Sequence, residues 1–398
     1  MLEILALFIG FLIVYHHALY PLLLRLLASR QSDVQVSHCL ADAELPTINL
    51  ILPAYNEAGV VAAKIRNVAA LNYPADKLKI TLIGDGCTDD TMAIATAVAQ
   101  EPCCAGLSLK IEEHINNRGK VAVINQAVKD SKSDIVALSD ISALINVDGL
   151  RMAARRFQQA NVGVVSSTYQ FANYSSSGEE AYWRYQSKVK LMETRTGSVI
   201  GAHGALYFFR RELFRPLKAD TINDDFILPM RIVEQGYKAV HEASITATEL
   251  ECVKPVANNN RRMRIGAGNL QQAIRLRRLL SPAFKGVAFN FLSGKVLRVL
   301  MPVCLLLFMV VCVLLAEKHL IFALLTAGQT LFYILALFVH FTNREQNREQ
   351  SGEQSTQDSK PRNKPNRLLA VIYYFASGYW YSLIGMVQYL SKSRTFKV

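Results

Sequence analysis

The chain has 398 residues, 51% of them hydrophobic, and a net charge of +12 from 44 Lys and Arg against 32 Asp and Glu. That length is enough for one large domain and a second region. The charge does not point to nucleic acid: its densest stretch, between Cys252 and Arg298, holds no acidic residue and leads into an apolar run, where anionic lipid headgroups account for it.

In chain order, residues 1–28 are almost uninterrupted hydrophobic, near the ~20 residues a membrane helix requires. The run is too long and too weakly basic at its start for a cleavable signal, so it reads as a retained transmembrane anchor. Arg25 and Arg30 follow it, which places the N-terminus outside and the next domain in the cytoplasm. Residues 29–45 are a polar linker. From 46 to 255 strands and helices alternate. INLILPAYNE runs as a strand to Glu57, with a helix from Ala58 to Ala70. KITLIGDG carries Asp85, and Thr88 to Gln100 reads as a helix opening on the polar Thr88-Asp89-Asp90 cap. Helix Lys120 to Asp130 precedes the strand DIVALSDIS, which carries Asp140. A helix over Val147 to Ala160, a strand over Val162 to Phe171 and a helix over Gly178 to Thr194 follow. Gly197 to Phe209 is a glycine-punctuated turn into a further strand.

Residues 256–298 read as basic amphipathic interface helices, with Arg262 to Leu280 and Gly286 to Leu297 suited to a membrane face. Two transmembrane helices occupy 299–341, a flexible polar loop 342–367, and a transmembrane or re-entrant helix 368–390. Four full crossings would leave Lys392, Arg394 and Lys397 outside, against the positive-inside rule. Ser377 and Gly378 make the last segment the one suited to a partial crossing. The seven cysteines (Cys39, Cys87, Cys103, Cys104, Cys252, Cys304 and Cys312) lack paired metal-ligand spacing, which argues against a structural zinc site and fits a reduced compartment.

Three apolar, β-branched strands end in the acidic or polar residues of Glu57, Asp85 and Asp140. In open α/β sheets ligands bind just beyond the carboxyl ends of the strands. Carboxylates meeting there suit a cation and the diphosphate it neutralises. Each residue also has a plainer reading. Asp85 can cap a helix, Asp140 can be satisfied by backbone amides, and Lys120 can be a solvated lysine at a helix start. Asp224 and Asp225 can complement a helix dipole, and His203 can be structural.

INLILPAYNE, IGDGCTDDT, NRGKVAVINQA, ALSDIS, GAHGALYFFRR, NDDFILPMRIVEQGY and RRMRIGAG occur in the order found in family 2 of the nucleotide-sugar glycosyltransferases. Over about 46–270 the chain resembles that family, nearest to its membrane-anchored bacterial exopolysaccharide branch, with the cellulose and hyaluronan synthases in the wider superfamily. The resemblance implies a GT-A fold, an α/β Rossmann-like mixed sheet with flanking transmembrane helices, and inverting transfer that depends on Mg2+ or Mn2+. It implies that Pro53, Tyr55 and Glu57 grip the nucleoside, that Asp85 contacts the nucleobase and that Lys120 lies close to the nucleotide. Arg264 would clamp the leaving diphosphate. Asp140 would hold the metal as the first residue of an Asp-x-Asp motif, whose second position is Ser142 here. Asp225 would be the catalytic base with Asp224 supporting it, and Gly201, His203 and Gly204 would face the acceptor.

Two departures matter. Ser142 binds a metal weakly or through water, so metal affinity without nucleotide should be poor. Arg261 and Ile265 replace the Gln and Trp of the Gln-x-x-Arg-Trp motif, and the tryptophan is the acceptor platform of processive relatives. The resulting expectation is an inverting, metal-dependent glycosyltransferase of the inner membrane, multi-pass, with its catalytic domain cytoplasmic. It would take a sugar from a nucleotide-sugar donor to a lipid-linked or saccharide acceptor in surface polysaccharide synthesis. Membrane lipids and other polysaccharide-assembly proteins are its expected partners, and nucleic acid is not. The alternatives are a processive polysaccharide synthase and, in another class, a non-catalytic membrane receptor or assembly scaffold.

Overall fold

The computed structural model describes residues 1–31, 40–174, 177–250, 255–352 and 367–392. Cys39, Cys252, Lys254, Arg394, Lys397 and parts of the expected linker and polar loop lie outside them. The chain divides into two compact units. The larger comprises Tyr20–Pro255 and Gln271–Lys295; the other holds Met1–Leu19, Val256–Leu270 and the described residues from Val296 onward.

The larger unit is built on eight strands: β1 (Ile48–Ala54), β2 (Leu78–Asp85), β3 (Leu109–His114), β4 (Ile135–Ser139), β5 (Ala143–Ile145), β6 (Val162–Phe171), β7 (Leu206–Arg210) and β8 (Lys238–Glu249). Their order in the sheet is β3-β2-β1-β4-β7-β6-β8-β5. β3, β2, β1 and β4 are parallel, β7 runs antiparallel between β4 and β6, β8 is parallel to β6, and β5 closes the edge antiparallel to β8. Because β1 pairs with β2 on one side and β4 on the other, the strand order reverses at β1. That reversal opens the crevice where α/β sheets take ligands.

The apolar runs make these strands because both faces are covered. Ile48, Leu50 and Leu52 enter a core shared with helices Val61–Ala69, Thr91–Ala99 and Gly149–Phe157. Helix Lys120–Asp130 contacts β1 and β2 and contributes none of its residues to that core, covering the opposite face. Strands β3, β5 and β8 were not among the expected elements. β3 reads Leu-Lys-Ile-Glu-Glu-His at the sheet edge, where half-exposure lets charge into the pattern. β5 is only three residues long. β8 pairs with β6 across a register shift at Ser167/Thr168, which breaks its alternation.

Among the described residues three helices are long and apolar enough to cross a membrane: Leu2–Ser29, Gly286–Leu315 and Leu320–Thr342. The second begins at Gly286, not near 299. The expected interface helix and the span are one helix, with a π-helical turn at Phe291–Val296, because Lys295 and Arg298 are the only charged residues in its apolar run. The more N-terminal basic segment is helical over Pro255–Arg275. Helix Leu320–Gly352 continues ten residues past Thr342 into the segment read as a loop, where Glu, Gln and Arg are good helix formers. The fourth apolar segment is also a helix, Arg367–Leu390. Its Tyr and Trp residues suit a membrane interface. Within this unit a Cβ on Gly385 would lie 2.0 Å from the Met263 carbonyl oxygen, and one on Gly266 would lie 2.6 Å from Ser382 Cα. Small residues permit that close backbone approach.

Candidate active site

The crevice beside β1 is assembled from four loops. In the first, Asn56 adopts a left-handed conformation (φ 54°), and its Oδ1 accepts the Thr88 N–H at 2.8 Å. Glu57 N–H donates to Thr91 Oγ1 at 2.7 Å, and Asp89 accepts from the Thr91 amide at 3.1 Å and from Ala58 N–H at 3.2 Å. Asp89 is thus the residue that caps helix Thr91–Ala99. These bonds tie the Pro53-Ala54-Tyr55-Asn56-Glu57 loop to the loop after β2 and leave Tyr55 half exposed at 51%.

Asp85 ends β2 buried, and its two carboxylate oxygens accept the N–H groups of Arg118 and Gly119 at 2.9 and 2.8 Å. Gly119 has φ 85°, so the turn needs glycine there. Asp85 therefore shapes the turn that starts helix Lys120–Asp130. Its expected contact with a base would have to use the remaining lone pairs.

That helix start presents Lys120, whose Nζ lies 2.6 Å from Asp140 Oδ1. Asp140 follows β4 directly, and its N–H donates to the Ala205 carbonyl at 3.3 Å. Burial opposes the charge on both partners, yet each outweighs it for the other. Lys120 is held above its ordinary value with help from Asp224 and Asp225, and Asp140 is held below its own with help from His203 and Lys64. Both side chains remain partly open to the crevice, 21% and 37% exposed.

The fourth loop runs from Gly201 to Ala205. Gly201 has φ 82°, and a Cβ there would lie 2.3 Å from the Phe226 ring. His203 stacks on Tyr169 at 3.8 Å between centroids and meets the Trp183 ring edge-on at 5.5 Å. Gly204 N–H donates to Asp225 Oδ2 at 3.1 Å, and Ala202 N–H donates to the Asp225 carbonyl at 3.0 Å. A Cβ on Gly204 would lie 3.3 Å from Asp140 Oδ2, 3.6 Å from Asp225 Oδ2 and 3.8 Å from Lys120 Nζ. One face of a single glycine is therefore bordered by three charged groups from three separate segments. Gly204→Ala is expected to lower the turnover of any reaction run there by about 10- to 100-fold by displacing these ends. Kinetics, with thermal unfolding showing a retained fold, checks it.

Asp224 and Asp225 open helix Asp224–Val233. Asp224 is buried, and the Tyr207 hydroxyl donates to it at 3.4 Å. Burial first, then the charges of Asp224 and Asp140, push Asp225 up to about 6 against the pull of Lys120 and Lys190. A carboxylate tuned in that way ionises near neutrality and still binds a proton readily.

Among the described residues no group of three or more His, Cys, Asp or Glu side chains is arranged to hold a metal ion. Asp140 Oδ2, bordering the face of Gly204, nevertheless fits an ion that takes one protein carboxylate and completes its shell from phosphate oxygens and water. Ser142 sits just before β5, its carbonyl accepting the Leu250 N–H at 3.0 Å. Arg264 belongs to the other unit, on helix Pro255–Arg275, where its Nε is buried without a hydrogen-bond partner among the described residues. On the same helix Arg262 donates to Ser377 Oγ at 2.6 Å and lies over the Tyr374 ring at 4.7 Å.

Sequence reasoning passed over Lys64, Lys190 and Tyr207. Lys64 was detectable: it falls on the apolar stripe of its helix with Val61, Ile65 and Val68, where a lysine has no place without a partner. Burial pushes it down to about 7 against Asp140 and Glu249. Lys190 and Tyr207 carried no such signal.

The family model described as "Glycosyltransferase like family 2" matches residues 46–266, more than half of the chain. Poly-beta-1,6-N-acetyl-D-glucosamine synthase of Staphylococcus aureus (strain MSSA476) is 25% identical over 207 residues, covering 50% of this chain and 48% of that protein. Beta-monoglucosyldiacylglycerol synthase of Nostoc sp. (strain PCC 7120) is 26% identical over 216 residues, covering 51% and 46%. The chain thus spans about half the length of the curated relatives it matches. The solved structure of mannosyltransferase PcManGT from Pyrobaculum calidifontis, in complex with GDP-Man and Mn2+, aligns with a TM-score of 0.71 at 22% identity, covering 99% of this chain and 100% of that chain. At that identity the likeness shows the fold, and the sheet domain has the GT-A architecture expected of it.

Proposed function

The chain belongs to glycosyltransferase family 2, and on that premise we propose that it transfers a single sugar, with inversion, from a nucleotide-diphosphate sugar to a lipid-linked or saccharide hydroxyl in surface polysaccharide or glycolipid synthesis. The observation that carries this reading is the meeting of Asp140, Lys120 and Asp225 at Gly204. It puts a diphosphate-facing pair and a proton acceptor on one small patch of backbone.

In the proposed reaction the acceptor hydroxyl attacks the anomeric carbon as the bond from that carbon to the diphosphate oxygen breaks. Asp225 takes the hydroxyl proton, with its carboxylate oriented by the Gly204 amide. Asp224, held by Tyr207, keeps the local field negative and Asp225 basic. Lys120 neutralises part of the charge that develops on the diphosphate. A Mg2+ or Mn2+ ion, when bound, would supply the rest of that neutralisation, with Asp140 and more weakly Ser142 holding it. Pro53, Tyr55, Glu57 and Asp85 are assigned to the nucleoside, Arg264 to the diphosphate, and Gly201 and His203 to the acceptor.

Since Asp225 acts in its ionised form, kcat/KM is expected to rise with pH through about 6 and to level off above it. A pH–rate profile that is flat between 5 and 7.5 would remove Asp225 as the base. Membrane association at the cytoplasmic face accompanies this reading, with Leu2–Ser29, Gly286–Leu315 and Leu320–Thr342 as spans and the basic helix Pro255–Arg275 at anionic headgroups. Ile265, in place of an acceptor-stacking tryptophan, favours single transfer over processive synthesis, and product length from purified protein separates the two. The decisive experiment is a screen of nucleotide sugars with Mn2+ for transfer, hydrolysis or thermal stabilisation. A protein that neither binds nor turns over any of them is a receptor or scaffold instead.

A further inference from the structure

Lys64 takes no part in the chemistry above and has no exposed surface. An ammonium group buried in an apolar helix stripe is costly unless its hydrogens are used. Here Nζ donates to Ser139 Oγ at 2.7 Å and to the carbonyl of Ala143. Those two acceptors bracket residues 140–142, the segment that carries Asp140 and Ser142. Ser139 Oγ in turn donates to the Ala205 carbonyl at 2.7 Å, the same carbonyl that accepts the Asp140 N–H. One buried cation is therefore bonded to both ends of the Asp140 segment and, through Ser139, to the strand start that follows Gly204. A methionine of similar length would fill the same space with no charge to bury, at the cost of leaving the Ala143 carbonyl without this donor. Packing alone does not account for a lysine there.

We propose that Lys64 is a positioning residue for glycosyl transfer, its ammonium clamping the segment from Ser139 to Ala143 so that Asp140 and Gly204 keep the spacing a donor diphosphate and its cation require. The proposal rests on the transferase reading of the site. It acts from behind the strand ends and makes no contact with substrate.

The test compares Lys64→Met, Ser139→Ala and the double variant in the full-length, detergent-solubilised protein. Three quantities are measured: the thermal midpoint, Mn2+-dependent binding of UDP and GDP by calorimetry, and kcat and KM for the donor found active. Lys64→Met is expected to stay folded, melting within a few degrees of the parent. It should lose about 10- to 100-fold in Mn2+-dependent nucleotide affinity, the usual penalty for removing the group that orients a metal-binding carboxylate, and a similar factor in kcat. Ser139→Ala, which keeps the Ala143 bond, is expected to lose less. The double variant should resemble Lys64→Met, because the two residues act through one link. A folded Lys64→Met with parental nucleotide affinity and kcat overturns the proposal. Should Lys64→Met fail to fold, Ser139→Ala decides, and parental kinetics in that variant overturn the proposal as well. A parent protein with neither Mn2+-dependent nucleotide binding nor turnover overturns the transferase reading and this proposal together, whereas an active parent with indifferent variants overturns this proposal alone.

Discussion

Asp225→Asn is expected to lower sugar transfer by roughly 10²- to 10⁴-fold, the usual contribution of a positioned general base, while donor binding in the presence of Mn2+ stays near that of the parent. The amide keeps the shape of the carboxylate and can still meet the Gly204 N–H through its oxygen. What it cannot do is take a proton. A loss of fold is separable from a loss of chemistry because the two have opposite signs here. Asp225 has a folded-state value raised to about 6, so its contribution to stability is complete below the ordinary carboxylate range and is lost as pH rises through about 6. Removing the ionisable group removes that loss. Above pH 6 the variant should therefore melt at or above the parent's temperature, and full transfer activity in it would take Asp225 out of the mechanism.

Asp140→Asn is expected to be as damaging to turnover and, in contrast, to weaken donor binding. It removes the negative charge opposite Lys120 and the carboxylate oxygen that borders Gly204. The ion pair itself is a small part of the effect, since both side chains are partly exposed and solvent screens them. The larger part is the loss of a charged oxygen ligand for the cation. The expected result is a fall of at least about 10-fold in Mn2+-dependent nucleotide affinity, together with loss of transfer that raised Mn2+ restores only partly. Parental metal-dependent binding in Asp140→Asn would mean that the cation is held elsewhere. Together the two variants distinguish the proton acceptor from the diphosphate side of the site.

The parallel half of the sheet was legible because β1, β2 and β4 are covered on both faces and so read as unbroken apolar runs. The other half was not. β3 and β5 are edge strands, and β8 changes register against β6, so their side chains follow no clean alternation. The membrane boundary moved for a similar reason. A basic residue every few positions marks an interface in sequence but does not stop a helix, and Gly286–Leu315 runs through Lys295 and Arg298.

Which carboxylates the chain carries, and that strand ends bear Asp85 and Asp140, was determined by the sequence alone, because a buried parallel strand must be apolar up to its last residue. Membership in the family followed from seven short motifs in order. What those carboxylates touch was decided only by the tertiary structure. Asp85 spends both oxygens on the turn before Lys120, and Asp140 pairs with that same lysine. Asp225, far along the chain, reaches them across Gly204. The physical reason is that a hydrogen bond or a desolvated charge depends on distances of a few ångströms between segments that share no periodicity. Lys64 shows it most clearly: in sequence it is a lysine out of place on an apolar stripe, and only the fold supplies the Ser139 and Ala143 oxygens that keep it there.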